Sequence, residues 1–280
     1  MVLNLLFTQQ ANAAEGAHGP SLDLAFLRVT AQVTDTVHGP YSALTAACAA
    51  CHRTHSAQGP SLMVTADDIE LCLTCHNGTG SVYNSVEGVI QVNGKTAPSA
   101  AGPIALVSQG GPATSAHLIG NAFDAPGGPL SKSALACGDC HDPHGSPNFR
   151  MIRTDLTWNN LSTSIAFTAT LAHAGTVSET VKYLSGSVTA CTACHIDYGQ
   201  HSGGKFSDGT RHDVGVKVTS DYTPGNLPLE NGKLVCLTCH YAHGTRVTNT
   251  AASGLGSTST ALKRQGNWSL CSQCHFDQPE

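Results

Sequence analysis

Apolar and polar positions alternate only over short stretches of this chain. Val89-Ile90-Gln91-Val92 reads as a strand entering Asn93-Gly94, a dipeptide suited to a two-residue hairpin because both positions accept positive φ. Residues 153–183 are rich in Thr, Ser, Ala and Val and predict further strands, followed by a short helix from Ser178 to Leu184. Helical spacing is confined to brief pieces: Ala66 to His76, Ala134 to His141 and Ala261 to His275. The first is expected to be capped by Thr65 and opened by Asp67 and Asp68, whose charges suit a helix N-terminus. No apolar run approaches the length of a membrane span. The expectation is a coil-rich fold with few short α-helices and minor β-hairpins.

Composition sharpens that picture. The 280 residues include 29 Gly and 13 Pro, with only 12% charged and 5% aromatic residues, too few for a large core built from amphipathic helices. The net charge of −5 excludes a basic nucleic-acid footprint. Val2 to Phe7 followed by Ala11-Asn12-Ala13 reads as the remnant of a secretory signal over residues 1–13, although a basic leading region is missing. A frayed N-terminal strand is the alternative.

All 12 cysteines fall in six copies of Cys-x-x-Cys-His. The copies are Cys48/Cys51/His52, Cys72/Cys75/His76, Cys137/Cys140/His141, Cys191/Cys194/His195, Cys236/Cys239/His240 and Cys271/Cys274/His275. Zinc sites and redox dithiols also use Cys-x-x-Cys, but neither has a use for a His after every pair. A disulfide framework explains the even cysteine count and leaves the histidines unexplained. The repeat is the c-type haem attachment signature: two thioethers hold one porphyrin and the following His is the proximal ligand of its iron. Six covalently attached haem c groups are expected, about 47 residues of chain to each. The polypeptide should therefore wrap a continuous six-haem array, with little stability of its own before haem is attached. This attachment chemistry takes place outside the cytoplasmic membrane, so the protein should be exported.

Nine histidines remain, and six of them fall into a repeating order: a His, a C-x-x-C-H, a His three residues on, then a second C-x-x-C-H. The three modules occupy residues 14–112, 113–200 and 201–280, the first ending in an insertion. Their spare histidines, His38 and His55, His117 and His144, His212 and His243, are the candidate distal ligands and suffice to make every iron bis-His. Two histidines three apart on a helical turn share a face at different heights. The second of each pair His52/His55, His141/His144 and His240/His243 can thus pass the edge of its own porphyrin and reach a neighbouring iron. His18 shares the His-Gly-Pro context of His38 and is the alternative, as a distal or an intersubunit ligand. His173 and His201 are left as surface residues, and beyond Met1 only Met63 and Met151 could offer sulfur ligation.

The phrases Cys-His-Asp-Pro-His-Gly-Ser (140–146), Cys-His-Tyr-Ala-His-Gly-Thr (239–245) and Leu-Cys-Leu-Thr-Cys-His (71–76) resemble multihaem c-type cytochromes with doubled C-x-x-C-H motifs. Within that family the chain is most similar to extracellular cytochromes that polymerise into haem filaments. The resemblance implies bis-His haems in alternating stacked and perpendicular pairs, and electron conduction along a homopolymer in which one axial His comes from a neighbouring subunit. By position His18 or His55 would be that donor. An electron carrier, not an enzyme, is expected, outside the cell or at its surface, with redox proteins or an extracellular metal as partners and no integral membrane span. The competing function is a periplasmic multihaem reductase with one iron left open.

Overall fold

The computed structural model describes residues 46–106, 113–128, 131–132, 134–158, 161–173, 179–200, 205–206, 209–210, 214–218, 227–247, 264, 269–270 and 272–274. The signal-like segment, His18, His38, His201, His212, Cys271, His275 and most of the expected helix 261–275 lie outside these residues.

Six short α-helices are described: α1 (Ala46–Ala49), α2 (Asp68–His76), α3 (Cys137–Cys140), α4 (Ser187–Thr192), α5 (Ile196–Gln200) and α6 (Cys236–Cys239). Every one except α5 carries cysteine of a C-x-x-C-H motif, so helix forms here chiefly as the turn that presents the motif. α2 is the longest, and Asp67 caps it, accepting from the Glu70 amide at 2.8 Å while the Glu70 carboxylate accepts from the Ala66 amide at 3.1 Å. Thr65, expected in that role, instead donates its hydroxyl to the Asp67 carbonyl at 2.9 Å. A carboxylate nearer the first turn reaches an open amide that the Thr hydroxyl two residues earlier does not.

The expected hairpin is present. Val89–Val92 pairs antiparallel with Lys95–Pro98, Val92 opposite Lys95, and Tyr83–Asn84 adds a third strand. Asn93 and Gly94 turn the chain with φ of 50° and 73°. Two further hairpins follow, Asp155–Trp158 with Leu161–Ser164 and Thr168–His173 with Glu179–Ser185. The helix expected over Ser178 to Leu184 is therefore a strand, and the helix α4 begins after it. Its alternation explains why: Val181 and Tyr183 are buried while Thr180 and Lys182 are exposed, a period of two rather than 3.6.

These hairpins build the protein's own core. Leu156, Ile165, Phe167, Ala169, Val181 and Tyr183 pack with Ala193 of the fourth motif and with Val235 and Leu237 at the fifth. Phe149, Phe167 and Tyr183 meet at centroid distances of 5.7–6.5 Å. Each large apolar side chain buried there contributes about 1.5–3 kcal/mol, so two attachment motifs sit on this packed apolar cluster. The modules also interlock. Ser115–Ala116 pairs antiparallel with Gly244–Thr245, and the His243 amide donates to the Ala101 carbonyl at 2.8 Å. Gly244 is required there, because a Cβ would stand 2.5 Å from the Pro103 carbonyl oxygen and 2.6 Å from Ala116 Cβ. Among the described residues no helix is long and apolar enough to cross a membrane.

Candidate haem sites

One turn recurs at the motifs. The amide of the fifth residue donates to the carbonyl of the first cysteine, from His52 to Cys48 at 2.8 Å, and from His141 to Cys137, His195 to Cys191 and His240 to Cys236 at 3.0 Å each. Residues i, i+3 and i+4 of such a turn share a face, so both sulfurs and the imidazole point to one side. Among the described residues no three Cys, His, Asp or Glu side chains converge on a single point, as an all-protein zinc site would need.

None of the described cysteines, Cys194 and Cys239 included, is bridged to another. Two of them depart from the short presenting turn. Cys75 belongs to the continuous helix α2, where its Sγ accepts from the Thr74 hydroxyl at 3.8 Å, and a Cβ on Gly80 would stand 2.8 Å from that sulfur. The Gly80 side of the Cys75 sulfur is therefore closed, and a thioether there has to leave from another side. The helix expected through the last motif is helical at residues 269–270 but does not continue through Cys274. Residues 272–274 form a turn, with the Gln273 amide donating to the Leu270 carbonyl at 3.3 Å. That bond reaches back three residues instead of four, which tightens the backbone out of the α-helical path before Cys274.

The imidazoles are oriented by backbone. Nδ1 of His52 bonds the Ser61 carbonyl at 2.8 Å, that of His141 the Arg150 carbonyl at 2.8 Å, that of His195 the Pro126 carbonyl at 2.8 Å and that of His76 the Tyr83 carbonyl at 3.3 Å. A carbonyl oxygen only accepts, so Nδ1 carries the proton and Nε2 keeps its lone pair. Metal-bound histidines are held this way, through the nitrogen that does not bind the metal. His117, a candidate distal residue, has the same arrangement, donating from Nδ1 to the Ala242 carbonyl at 2.7 Å.

Three of the C-x-x-C-H histidines each lie opposite one of the spare histidines. The ring centroids of His52 and His144 are 6.0 Å apart, those of His117 and His195 6.2 Å, and those of His141 and His243 6.2 Å. With each ring nitrogen about 2 Å from a metal between them and each centroid roughly 1 Å further back, trans imidazoles have centroids about 6 Å apart. The residues therefore fit the group that the motifs imply. Two of these pairs join different modules: His144 of the second faces His52 of the first, and His243 of the third faces His141 of the second. Desolvation holds the His243 pKa down to about 3, with His141 and His117 adding repulsion, so the ring is neutral as a ligand must be. His55 is exposed on the first module's loop.

Neighbouring motifs touch through their first cysteines. That proximity, together with burial, pushes the Cys137 thiol up beside Cys72 and the Cys191 thiol up beside Cys236. Asp68 of α2 also accepts from the Gly138 amide of α3 at 3.0 Å, and Glu230 accepts from the Ser187 amide at the start of α4 at 3.0 Å.

Sequence spacing does not reveal the residues that brace the motifs. The Arg153 amide donates to the Cys140 carbonyl at 2.9 Å and its Nε to the Gly138 carbonyl at 2.7 Å. Arg264 repeats both bonds at 2.8 Å, on Cys239 and Leu237. In the first module the Val64 amide makes the equivalent bond to the Cys51 carbonyl at 3.0 Å. The brace follows the second cysteine by thirteen residues in the first two modules and by twenty-five in the third, which hides the repeat.

Residues 38–81 and 128–157 match the family model described as the doubled CXXCH motif. The doubled motifs indicate covalently bound haem c. No curated protein matches the chain. Among solved structures the chain is similar to the outer membrane cytochrome S filament from Geobacter sulfurreducens, with 17% sequence identity, a TM-score of 0.44, and coverage of 82% of this chain and 98% of that one.

Proposed function

We propose that the protein is an exported hexahaem c-type cytochrome that conducts electrons through bis-His haems, outside the cell or at its surface. The observation that carries this reading is the set of three facing histidine pairs, each joining a proximal His to a spare His at the separation two axial ligands require. Haem c supplies a one-electron iron couple. The chain's own residues do the rest: paired cysteines anchor each macrocycle, backbone carbonyls accept from Nδ1, and facing histidines close the paired sites from both sides, drawn from two modules at His52 and His141 and from one at His195.

In this reading the thioethers form at all six cysteine pairs, including Cys72/Cys75 on the longer helix and Cys271/Cys274 at the last motif. The proximal ligands are His52, His76, His141, His195, His240 and His275. The distal set includes His144 opposite His52, His243 opposite His141 and His117 opposite His195, with His38, His55 and His212 for the other sites and His18 as the alternative to His38. The three modules, 14–112, 113–200 and 201–280, act as interlocked units rather than self-contained ones. Six low-spin irons with filled axial positions suit a carrier, with redox proteins or an extracellular metal as its partners. A reductase would instead keep one iron open.

The handover between modules also supports a homopolymer. In two steps the second His of a C-H-x-x-H loop faces the first proximal His of the preceding module. The same step carried one module further makes the exposed His55 a ligand at the His240 site of a second copy.

Production with haem-attachment machinery tests the reading. A mass increased by six haem groups, with a low-spin oxidised spectrum, is expected; fewer than six, or high-spin iron, contradicts it. Electron microscopy of the secreted protein should show filaments, and dispersed monomers would remove the homopolymer.

A further inference from the structure

Among the described residues six non-glycine positions have positive φ: Asn93, Asn231 and two adjacent pairs, Ser61-Leu62 (54° and 60°) and Arg150-Met151 (56° and 55°). Asn tolerates this region, whereas Leu, Arg and Met rarely enter it. The two pairs occupy matching places, beginning nine residues after His52 and after His141. Each forms one left-handed turn between extended residues.

The turns do the same thing in both modules. The Ser61 carbonyl takes the His52 Nδ1 proton and the Leu62 carbonyl takes the Arg53 amide at 2.8 Å. The Arg150 carbonyl takes the His141 Nδ1 proton and the Met151 carbonyl takes the Asp142 amide at 2.8 Å. Successive carbonyls of extended backbone point to opposite sides, while helical backbone aligns them. A single left-handed turn therefore aims two consecutive carbonyls back at one motif. Strained backbone of this kind persists where its surroundings over-determine it.

We propose that Ser61-Leu62 and Arg150-Met151 are positioning devices that fix the proximal imidazoles of the first and third motifs and lower the reduction potentials of the irons those rings hold. A carbonyl on Nδ1–H makes the ring a stronger donor, which favours oxidised iron. At His195 the carbonyl comes from Pro126 and the positive φ of the turn, 68°, falls on Gly127, so that site obtains its carbonyl without strain on a side-chain-bearing residue and is the internal reference. The inference rests on the haem-carrying reading.

Leu62 is 49% exposed, so its side chain can be changed with little loss of packing. In the haem-loaded protein, Leu62→Gly accepts the left-handed conformation and should keep every potential while leaving the thermal midpoint equal or higher. Leu62→Val disfavours it, and a shift to higher potential is expected at the His52 site alone, with a change in that site's low-spin electron paramagnetic resonance signal. Met151→Val should do the same at the His141 site, and it decides the matter if Leu62→Val fails to load. Full haem loading with unchanged potentials in the Val variants overturns the proposal, as does an equal shift at every site. Absence of bound haem in the unsubstituted protein would sink the haem reading itself, a different failure.

Discussion

The loops after the first and third motifs share one backbone path and differ in what covers them. Residues 53–62 and 142–151 each leave the histidine of a motif, make a left-handed turn and lead to a backbone amide, of Val64 or Arg153, that bonds the second cysteine. In the first loop residues 53–58 are all exposed, including His55. In the second, Ser146 and Asn148 are only 3% and 4% exposed. Asn148 accepts from the Phe167 amide at 2.8 Å and donates to the Ile165 and Arg153 carbonyls at 2.9 and 3.0 Å, buckling the loop onto the hairpin core. The matching position in the first module is Gly59, seven residues after its proximal His, where a Cβ would stand 2.2 Å from the Thr65 carbonyl oxygen. The geometry that presents the imidazole is thus local, while the cover is supplied by whatever else the chain brings.

The largest expected effect comes from removing the second loop's ligand. His144→Ala should convert the His52 site from low-spin to high-spin iron and leave the other sites low-spin, as read from the oxidised absorption and magnetic resonance spectra. His55→Ala should leave the spectra of an isolated monomer far less changed and act on assembly, seen by microscopy.

Next is the buckle. Asn148→Ala orphans two buried backbone groups, the Phe167 amide and the Ile165 carbonyl, and the half-buried Arg153 carbonyl, at about 1–3 kcal/mol for each buried group, so thermal unfolding of the loaded protein should show a loss of about 3 kcal/mol. No residue of the first loop plays that part.

Much of this is legible in the sequence, and the boundary is physical. Covalent chemistry fixes Cys-x-x-Cys-His spacing, and Asn93-Gly94 is read from the φ values that a tight turn demands. The same spacing does not say how long a helix each motif sits on, so Cys75 in a nine-residue helix and Cys274 in a tight turn look alike in sequence. The strand over Glu179–Ser185 reads as helix because a seven-residue segment offers both periods, and only the partner strand Thr168–His173 decides between them. The facing pairs His52–His144 and His141–His243 join residues about a hundred apart in sequence, so spacing suggests distal ligands without saying which iron each serves. Carbonyl partners such as Ser61, Arg150 and Pro126 carry no side-chain signature, since any residue has a carbonyl.

A smaller effect belongs to the brace. Arg153→Ala removes the Nε bond to Gly138 and should lower stability by about 1–2 kcal/mol in the same unfolding measurement, whereas the first module has only the Val64 backbone bond to lose. Smallest of all, Thr54→Ala on the exposed first loop should change stability by no more than about 0.5 kcal/mol. A larger loss there would mean that the loop is already covered within the monomer.

Electron paramagnetic resonance of the oxidised, fully loaded protein tests the paired histidines most directly. The His52 and His144 rings lie 14° apart in plane and the His141 and His243 rings 72° apart. The account predicts low-spin iron throughout, with a rhombic signal from the near-parallel pair beside a strongly anisotropic one from the near-perpendicular pair, and with the rhombic signal lost in His144→Ala. High-spin iron in the unsubstituted protein, or signals untouched by that substitution, would contradict it.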